Sequence, residues 1–432
     1  MITKMNNSLE EIAKKAKKAG RSISRLNGNE RNELLALIVN NIIKNKDVIT
    51  LANSKDMDES TSEGLAPALL KRLKYDESKI EETIASIQSL IRLKDPLGIT
   101  LEKRLLDDSL TLQRDTCPIG LIGIIFESRP DALVQISTLC LKSGNAVLLK
   151  GGKEALNTNR ELYNVIKQST IDYGVNADWI QLLETRDEVN EMLKLDHLID
   201  LIIPRGSNEF VRYIMDNSHI PVLGHADGIC HAYIDESANI SKAIEVVFDS
   251  KCQYVAVCNA LETLLVHKNI ASRILPLMQE RLATANVELR GCAETIKIIN
   301  CKAATNDDWK TEYLDYILSI KIVDSMEAAI DHINEYGSGH TETIITEDKA
   351  KVLEFMDSVD SGNVFHNCST RFSDGYRYGL GAEVGVSTQK LHARGPVGLN
   401  GLLSYKWKCF GDGQVVADYS KGVRKFKHID LL

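Results

Sequence analysis

With 432 residues, the chain is long enough for roughly two or three domains. Its 44% apolar and 26% charged composition fits soluble globular cores, and a net charge of −8 argues against a general affinity for nucleic acid or anionic membrane. Nine cysteines, an odd number without a CxxC pair or clustered His/Cys ligands, argue against a disulfide framework or a structural zinc site and for a reducing compartment.

No apolar run approaches the ~20 residues that a membrane helix needs. The first twenty residues set Glu10 and Glu11 among their lysines and lack an apolar signal core, so a cytoplasmic protein is expected. Residues 8–54 read as two helices broken between Gly20 and Gly28, with Ser8 as N-cap and Glu11 three residues on. A further helix spans residues 76–93. Residues 98–120 alternate apolar and polar on both sides of Asp107-Asp108-Ser109, a hairpin whose edge needs a partner.

From residue 121 strands and helices alternate. Strands are expected at 121–126, 145–150, in WIQLL and at 198–204; helices follow from Pro130, after Lys153, from Asp187 and from Ser207. Near-continuous apolar strands between helices imply a parallel sheet covered on both faces, with ligands outside the C-terminal strand ends. Two turns there, Lys150-Gly151-Gly152-Lys153 and Pro204-Arg205-Gly206-Ser207-Asn208, join a strand to a helix and suit an anionic group. Either is also an ordinary strand–helix turn.

The stretch YVAVCNALETLLVH places Cys258 just before a run, 261–266, that reads as a core strand. A thiol at the start of a rigid strand suits attack on a carbonyl, provided a helix N-terminus or cation raises its thiolate fraction. Taken alone, it is as readily one more buried cysteine. Further strands are expected in YLDYILSIKIV and TIITE, with helices near 325–334 and 349–358. Residues 361–401 form a long polar, glycine-rich run with Arg371, Arg377 and Arg394, too long for an inert connection. Its GLGAEVG is spaced one residue too widely for a dinucleotide fingerprint and is set aside as a loop near the site. Residues 402–417 alternate like a strand, and the basic tail 421–428 reads as a solvated face.

With these pieces in place, the chain resembles the γ-glutamyl phosphate reductases of the aldehyde dehydrogenase superfamily nearly end to end. The carriers are IIFESRP, SGNAVLLKGGKEA, IPRGSNEFVR, PVLGHADGICH, VCNALETLLVH, VDSMEAAIDHINEYGSGHTETI, the stretch 369–402 and GDGQV, in that order. The resemblance implies an α/β fold: a parallel-sheet cofactor domain (1–97 and 119–233), an α/β catalytic domain (234–370, with 371–394 returning to the cofactor domain) and a β oligomerisation arm (98–118 and 395–432). It implies NADPH/NADP+ as cofactor and reduction of L-glutamate 5-phosphate to the 5-semialdehyde, with release of phosphate, in proline biosynthesis.

Residue by residue, Cys258 matches the superfamily nucleophile. Lys150 and Gly151 match the adenosine-ribose side of the cofactor site, Gly206 and Ser207 the turn at its phosphates, and Glu312 the nicotinamide ribose. Glu127, Ser128, Arg129 and Arg371 are assigned to the substrate, the two arginines as clamps for its α-carboxylate; structural salt bridges are the other reading of both. His225 and His340 are either proton donors or structural histidines. No metal is expected.

Two departures from the superfamily matter. Val222 stands where hydrolytic members carry a glutamate base, and Phe126-Glu127-Ser128-Arg129-Pro130 replaces their Pro-Trp-Asn, leaving the Cys258 N–H and Ser128 as oxyanion candidates. A homo-oligomer, dimer or tetramer, is expected, with the hairpin and the 402–417 strand pairing across subunits. A separate glutamate 5-kinase would supply the substrate, and a transient contact with it stays open. Oxidation of another small aldehyde and a catalytically silent scaffold are the remaining alternatives.

Overall fold

The computed structural model describes residues 8–185, 187–225 and 227–432. Residues 1–7, counted in the expected first domain, lie outside the described residues. Two parallel sheets, a small antiparallel ribbon and an antiparallel arm make up the fold.

The first sheet orders its strands Ile180–Leu183, Ala146–Lys150, Leu121–Phe126 and Leu201–Arg205, all parallel. Every residue of Leu121–Phe126 and Ala146–Lys150 is buried, as strands covered on both faces require. Helices Pro130–Lys142 and Leu156–Asp172 make the crossovers. Helices Leu9–Ile23, Gly28–Lys44 and Glu77–Arg92 pack on the same core through Ala13, Ala16, Leu34, Ile38 and Ile87. The first helix runs through Gly20 instead of breaking there. A Cβ on Gly20 would stand 3.0 Å from that of Ala146, so the glycine lets helix and strand approach closely. Ser8 caps this helix by accepting the Glu11 amide.

The second sheet has seven parallel strands in the order Lys302–Ala303, Glu288–Gly291, Ile317–Val323, Leu261–His267, Cys230–Ile234, Thr341–Ile345 and Asn363–His366. Cys230–Ile234 lies in this sheet, so the boundary expected at 233 moves upstream. The middle strands are buried yet rich in polar side chains, including Glu262, Thr263, His231 and Glu342. Each charge found a partner: Lys251 Nζ reaches Glu262 Oε2 at 2.7 Å, and the His231 amide and Nδ1 lie 2.6 and 3.1 Å from Glu342 Oε2. Burial still pushes the Glu262 carboxyl up to about 7, against the pull of Lys251.

After Asn363–His366 the chain leaves the second sheet and returns to the first core, where Ala382, Val384, Val397, Leu399 and Leu402 are buried. Gly385–Ser387 and Gly395–Val397 pair as a separate ribbon. The arm therefore begins near 403 and not at 395. In it, Thr100–Asp107 and Leu110–Pro118 form the hairpin, with Ser109 at φ +57° in the turn. Leu403–Phe410 runs antiparallel to Leu110–Pro118, from Leu403↔Pro118 to Phe410↔Thr111.

This pairing closes within one chain, which corrects the expected pairing across a subunit interface; the chain returns at Leu402 beside the hairpin base, so no second copy is needed. Val416–Ser420 is helical, not strand. The basic tail is docked on the hairpin: Arg424 Nε reaches Asp107 at 3.2 Å, and Ile429–Asp430 pairs with Leu105 and Arg104. Among the described residues, no helix is long and apolar enough to cross a membrane.

A buried ion pair is costly to break from one side, because the surviving charge is stranded. Lys251→Met alone should lower unfolding stability by about 3–5 kcal/mol in urea titration, and Lys251→Met with Glu262→Leu should recover most of it. Equal losses in single and double variants would show that the pair contributes only packing.

Candidate active site

Cys258 sits in the turn between helix Ile240–Cys252 and strand Leu261–His267, at the strand ends of the second sheet. Its thiol is partly exposed. The turn is fixed on several sides. Thr370 Oγ1 donates to the Asn259 carbonyl at 2.8 Å, Asn259 Nδ2 to the Ser373 carbonyl at 2.7 Å, and Cys230 Sγ to the Cys258 carbonyl at 3.2 Å. Gly228 lies against it so closely that a Cβ there would stand 2.2 Å from the Cys258 oxygen and 2.5 Å from its Cα.

Two imidazoles converge on the thiol. The Cys258 sulfur and one ring nitrogen each of His225 and His340 lie within 4.8 Å of one another, and the rings meet edge to face at 4.9 Å. His225 Nδ1 lies 2.9 Å from the Val386 carbonyl, an acceptor only, so Nδ1 carries the proton and Nε2 is the free base. Burial lowers the His225 pKa and keeps the ring neutral at pH 7. His340 is fully buried; its Nδ1 meets Thr341 Oγ1 at 2.8 Å, and its Nε2 has no hydrogen-bond partner among the described residues.

Cations gather on the other side. Arg371, 8% exposed, donates from Nε to Gln253 at 2.9 Å. Arg205 ends the strand Leu201–Arg205. Burial lowers both guanidinium pKa values, with Arg377 adding to the effect on Arg371 and Arg129 to that on Arg205; the Cys258 thiolate acts in the opposite sense on each. Arg205 was overlooked in the sequence, although an arginine closing a buried apolar strand at a ligand-binding edge was a readable signal.

The remaining predicted residues divide into groups. Arg129 pairs with Asp131 at 3.0 Å and lines a cleft with Lys79, Glu82, Thr83 and Gln135, between helix Glu77–Arg92 and the start of helix Pro130–Lys142. Ser128, at φ +42°, gives both its amide and its hydroxyl to Glu154 Oε1 at 2.6 Å. Its hydroxyl is thus spoken for, which corrects its reading as an oxyanion donor. The Glu127 carboxylate accepts the Ser207 amide at 3.0 Å and packs on Gly206. Val222 is buried and bridges to Ile202, so no carboxylate occupies the base position.

On the cofactor side, Lys150 is buried at its strand end and donates to the Gly151 carbonyl; burial lowers its pKa. Gly151 has no room for a side chain, with Asn159 at 2.3 Å and the Phe126 ring at 3.2 Å from a would-be Cβ. A cation and closely packed backbone fit the ribose side of a dinucleotide. At the Gly206-Ser207 turn, a phosphate would have to displace the Glu127 carboxylate. Glu312 accepts a hydrogen bond from Asn208 Nδ2 at 2.5 Å, and burial raises its pKa.

Gly228→Ala should push the Cys258 backbone out of place. A shift near 1 Å at a reacting centre costs about 10²-fold in rate, and overpacking costs roughly 1–3 kcal/mol of stability. Turnover and thermal unfolding, measured together, should show the first loss exceeding what the second explains. An unchanged turnover would mean the contact does not position the thiol.

Residues 3–306 match the aldehyde dehydrogenase family. The chain is 61% identical to the γ-glutamyl phosphate reductase of Acetivibrio thermocellus, covering 98% of both chains, and 50% identical to that of Synechocystis over 100% of both. It superposes on the crystal structure of γ-glutamyl phosphate reductase from Thermotoga maritima with a TM-score of 0.93 at 39% identity, over 95% of this chain and 100% of that one. An NADP complex of glyceraldehyde-3-phosphate dehydrogenase from Methanocaldococcus jannaschii shares the fold at a TM-score of 0.65 and 17% identity, over 93% and 94% of the two chains. The chain belongs to the aldehyde dehydrogenase family and, within it, to the γ-glutamyl phosphate reductases.

Proposed function

We propose that the protein reduces L-glutamate 5-phosphate to L-glutamate 5-semialdehyde with release of phosphate, in proline biosynthesis, through a thioester on Cys258. The observation that carries this reading is the convergence of His225, His340, Arg205 and Arg371 on the half-buried Cys258.

The Cys258 thiol gives its proton to the free Nε2 of His225. The thiolate attacks the acyl-phosphate carbonyl and phosphate leaves, forming the thioester. Arg129, at the cleft, takes the substrate α-carboxylate, and Asp131 and Glu82 face its ammonium. Arg371, close to the sulfur, takes the phosphate side. These two arginines therefore divide the anionic groups that were expected to share one clamp.

Lys150, Gly151, Gly206, Ser207 and Glu312 would hold NADPH, which would supply the hydride for reduction of the thioester. Collapse of the thiohemiacetal then frees the aldehyde and the thiol. With Val222 in place of a base, water is not activated, and the acyl group is kept for reduction instead of hydrolysis. Val222 likewise disfavours oxidation of an aldehyde to a free acid.

The arm exposes Leu101, Tyr405, Trp407 and Phe410, each about half accessible. An apolar face of this kind on a strand edge favours a homo-oligomer built through it.

The reverse reaction tests the reading: with pyrroline-5-carboxylate supplied, NADP+ reduction should require inorganic phosphate. Steady reduction at the same rate without phosphate would contradict it. Cys258→Ser should abolish activity while leaving folding and NADPH binding intact, because an ester is a poor hydride acceptor and a serine alkoxide forms poorly at pH 7. Cys252→Ser should keep substantial activity. A Cys258→Ser protein within tenfold of the parent would overturn the mechanism.

A further inference from the structure

We infer that Cys258, His225 and His340 form an inhibitory binding site for a borderline-soft divalent cation, Zn2+ being the best match, which reversibly caps the thiol. One thiolate and two neutral imidazoles are the donor set that zinc prefers, and three protein ligands leave a fourth position for water.

The sulfur and the two ring nitrogens lie within 4.8 Å of one another. Zinc bonds of about 2.0–2.3 Å place tetrahedral ligands roughly 3.3–3.8 Å apart, so a closure near 1 Å completes the site. Cys258 lies in a turn and not within a strand, and it is half-buried.

Two further observations point to a ligand. His340 is fully buried, and its Nε2 has no hydrogen-bond partner among the described residues. His225 Nδ1 is committed to the Val386 carbonyl, so Nε2 presents a lone pair, and an imidazole oriented this way is the common form of a metal ligand.

Arg205 and Arg371 oppose a cation by like charge. They place this site below the affinity of a structural zinc centre and make it a reversible one. The three ligands come from positions 225, 258 and 340, so no ligand spacing shows in the sequence. A metal-bound thiolate is no longer a nucleophile, and binding releases its proton to solvent.

The test uses the intact protein, freed of metal with a chelator and titrated with buffered Zn2+, and reads alkylation of Cys258 by iodoacetamide through peptide mass. One Zn2+ per subunit should slow alkylation at least tenfold, and chelator should restore it. His340→Ala and, independently, His225→Gln should each weaken the protecting Zn2+ by about tenfold or more, whereas Cys252→Ser should leave it unchanged. Co2+ should give a thiolate-to-metal charge-transfer band with the parent and none with Cys258→Ser. Alkylation of Cys258 at the metal-free rate in saturating Zn2+, or protection unaltered in both histidine variants, would overturn the proposal. Because the readout is labelling and not turnover, either result leaves the assignment of the reductase reaction standing on its own test.

Discussion

The contact on which the site depends is that of the Gly228 backbone against the Cys258 backbone, closer than any side chain would allow. It joins the end of the first unit to the turn that starts the central strand of the second sheet. Around it, the turn is held by Thr370 and Ser373 from the returning loop and by Cys230 from the neighbouring strand. Beneath it, the buried Lys251–Glu262 pair ties the preceding helix to the following strand, and the Leu314 amide adds a second hydrogen bond to Glu262. The thiol is thus fixed in position by neighbours that make no contact with it themselves, a property that attack on a carbonyl exploits through orientation.

Electrostatics complete what position begins. Neutral His225 offers a free ring nitrogen because its other nitrogen is spent on Val386, and burial keeps it unprotonated. The arginines suit the proposed substrate, which carries phosphate at one end and carboxylate at the other. Val222 is buried and carries no carboxylate, which suits the proposed reduction of the acyl group over its hydrolysis.

The first sheet was readable because its strands are apolar throughout, as in Leu121–Phe126. The second was only half readable. Cys230–Ile234 and Asn363–His366 went unseen, since the sheet buries His231 and Glu342 against each other and hydropathy does not register a charge that has found its partner. The same limit applied at the site. Cys258, Lys150 and Glu312 stood out by motif, whereas a histidine's role depends on neighbours more than a hundred residues away. Ser128 was misread for a related reason: it carries a polar group at a strand end, but Glu154 had already claimed it. The arm's partner was misjudged because alternation reveals an edge without revealing which strand covers it.

Rapid mixing of the protein with NADP+ and pyrroline-5-carboxylate, phosphate excluded, tests the central claim most directly. The semialdehyde in equilibrium with that ring should add to Cys258, yield one NADPH per subunit, and stop as an acyl-enzyme that peptide mass places on Cys258; added phosphate should then restart turnover. Continuous NADPH formation without phosphate, or an acyl group found on any other cysteine, would contradict the account.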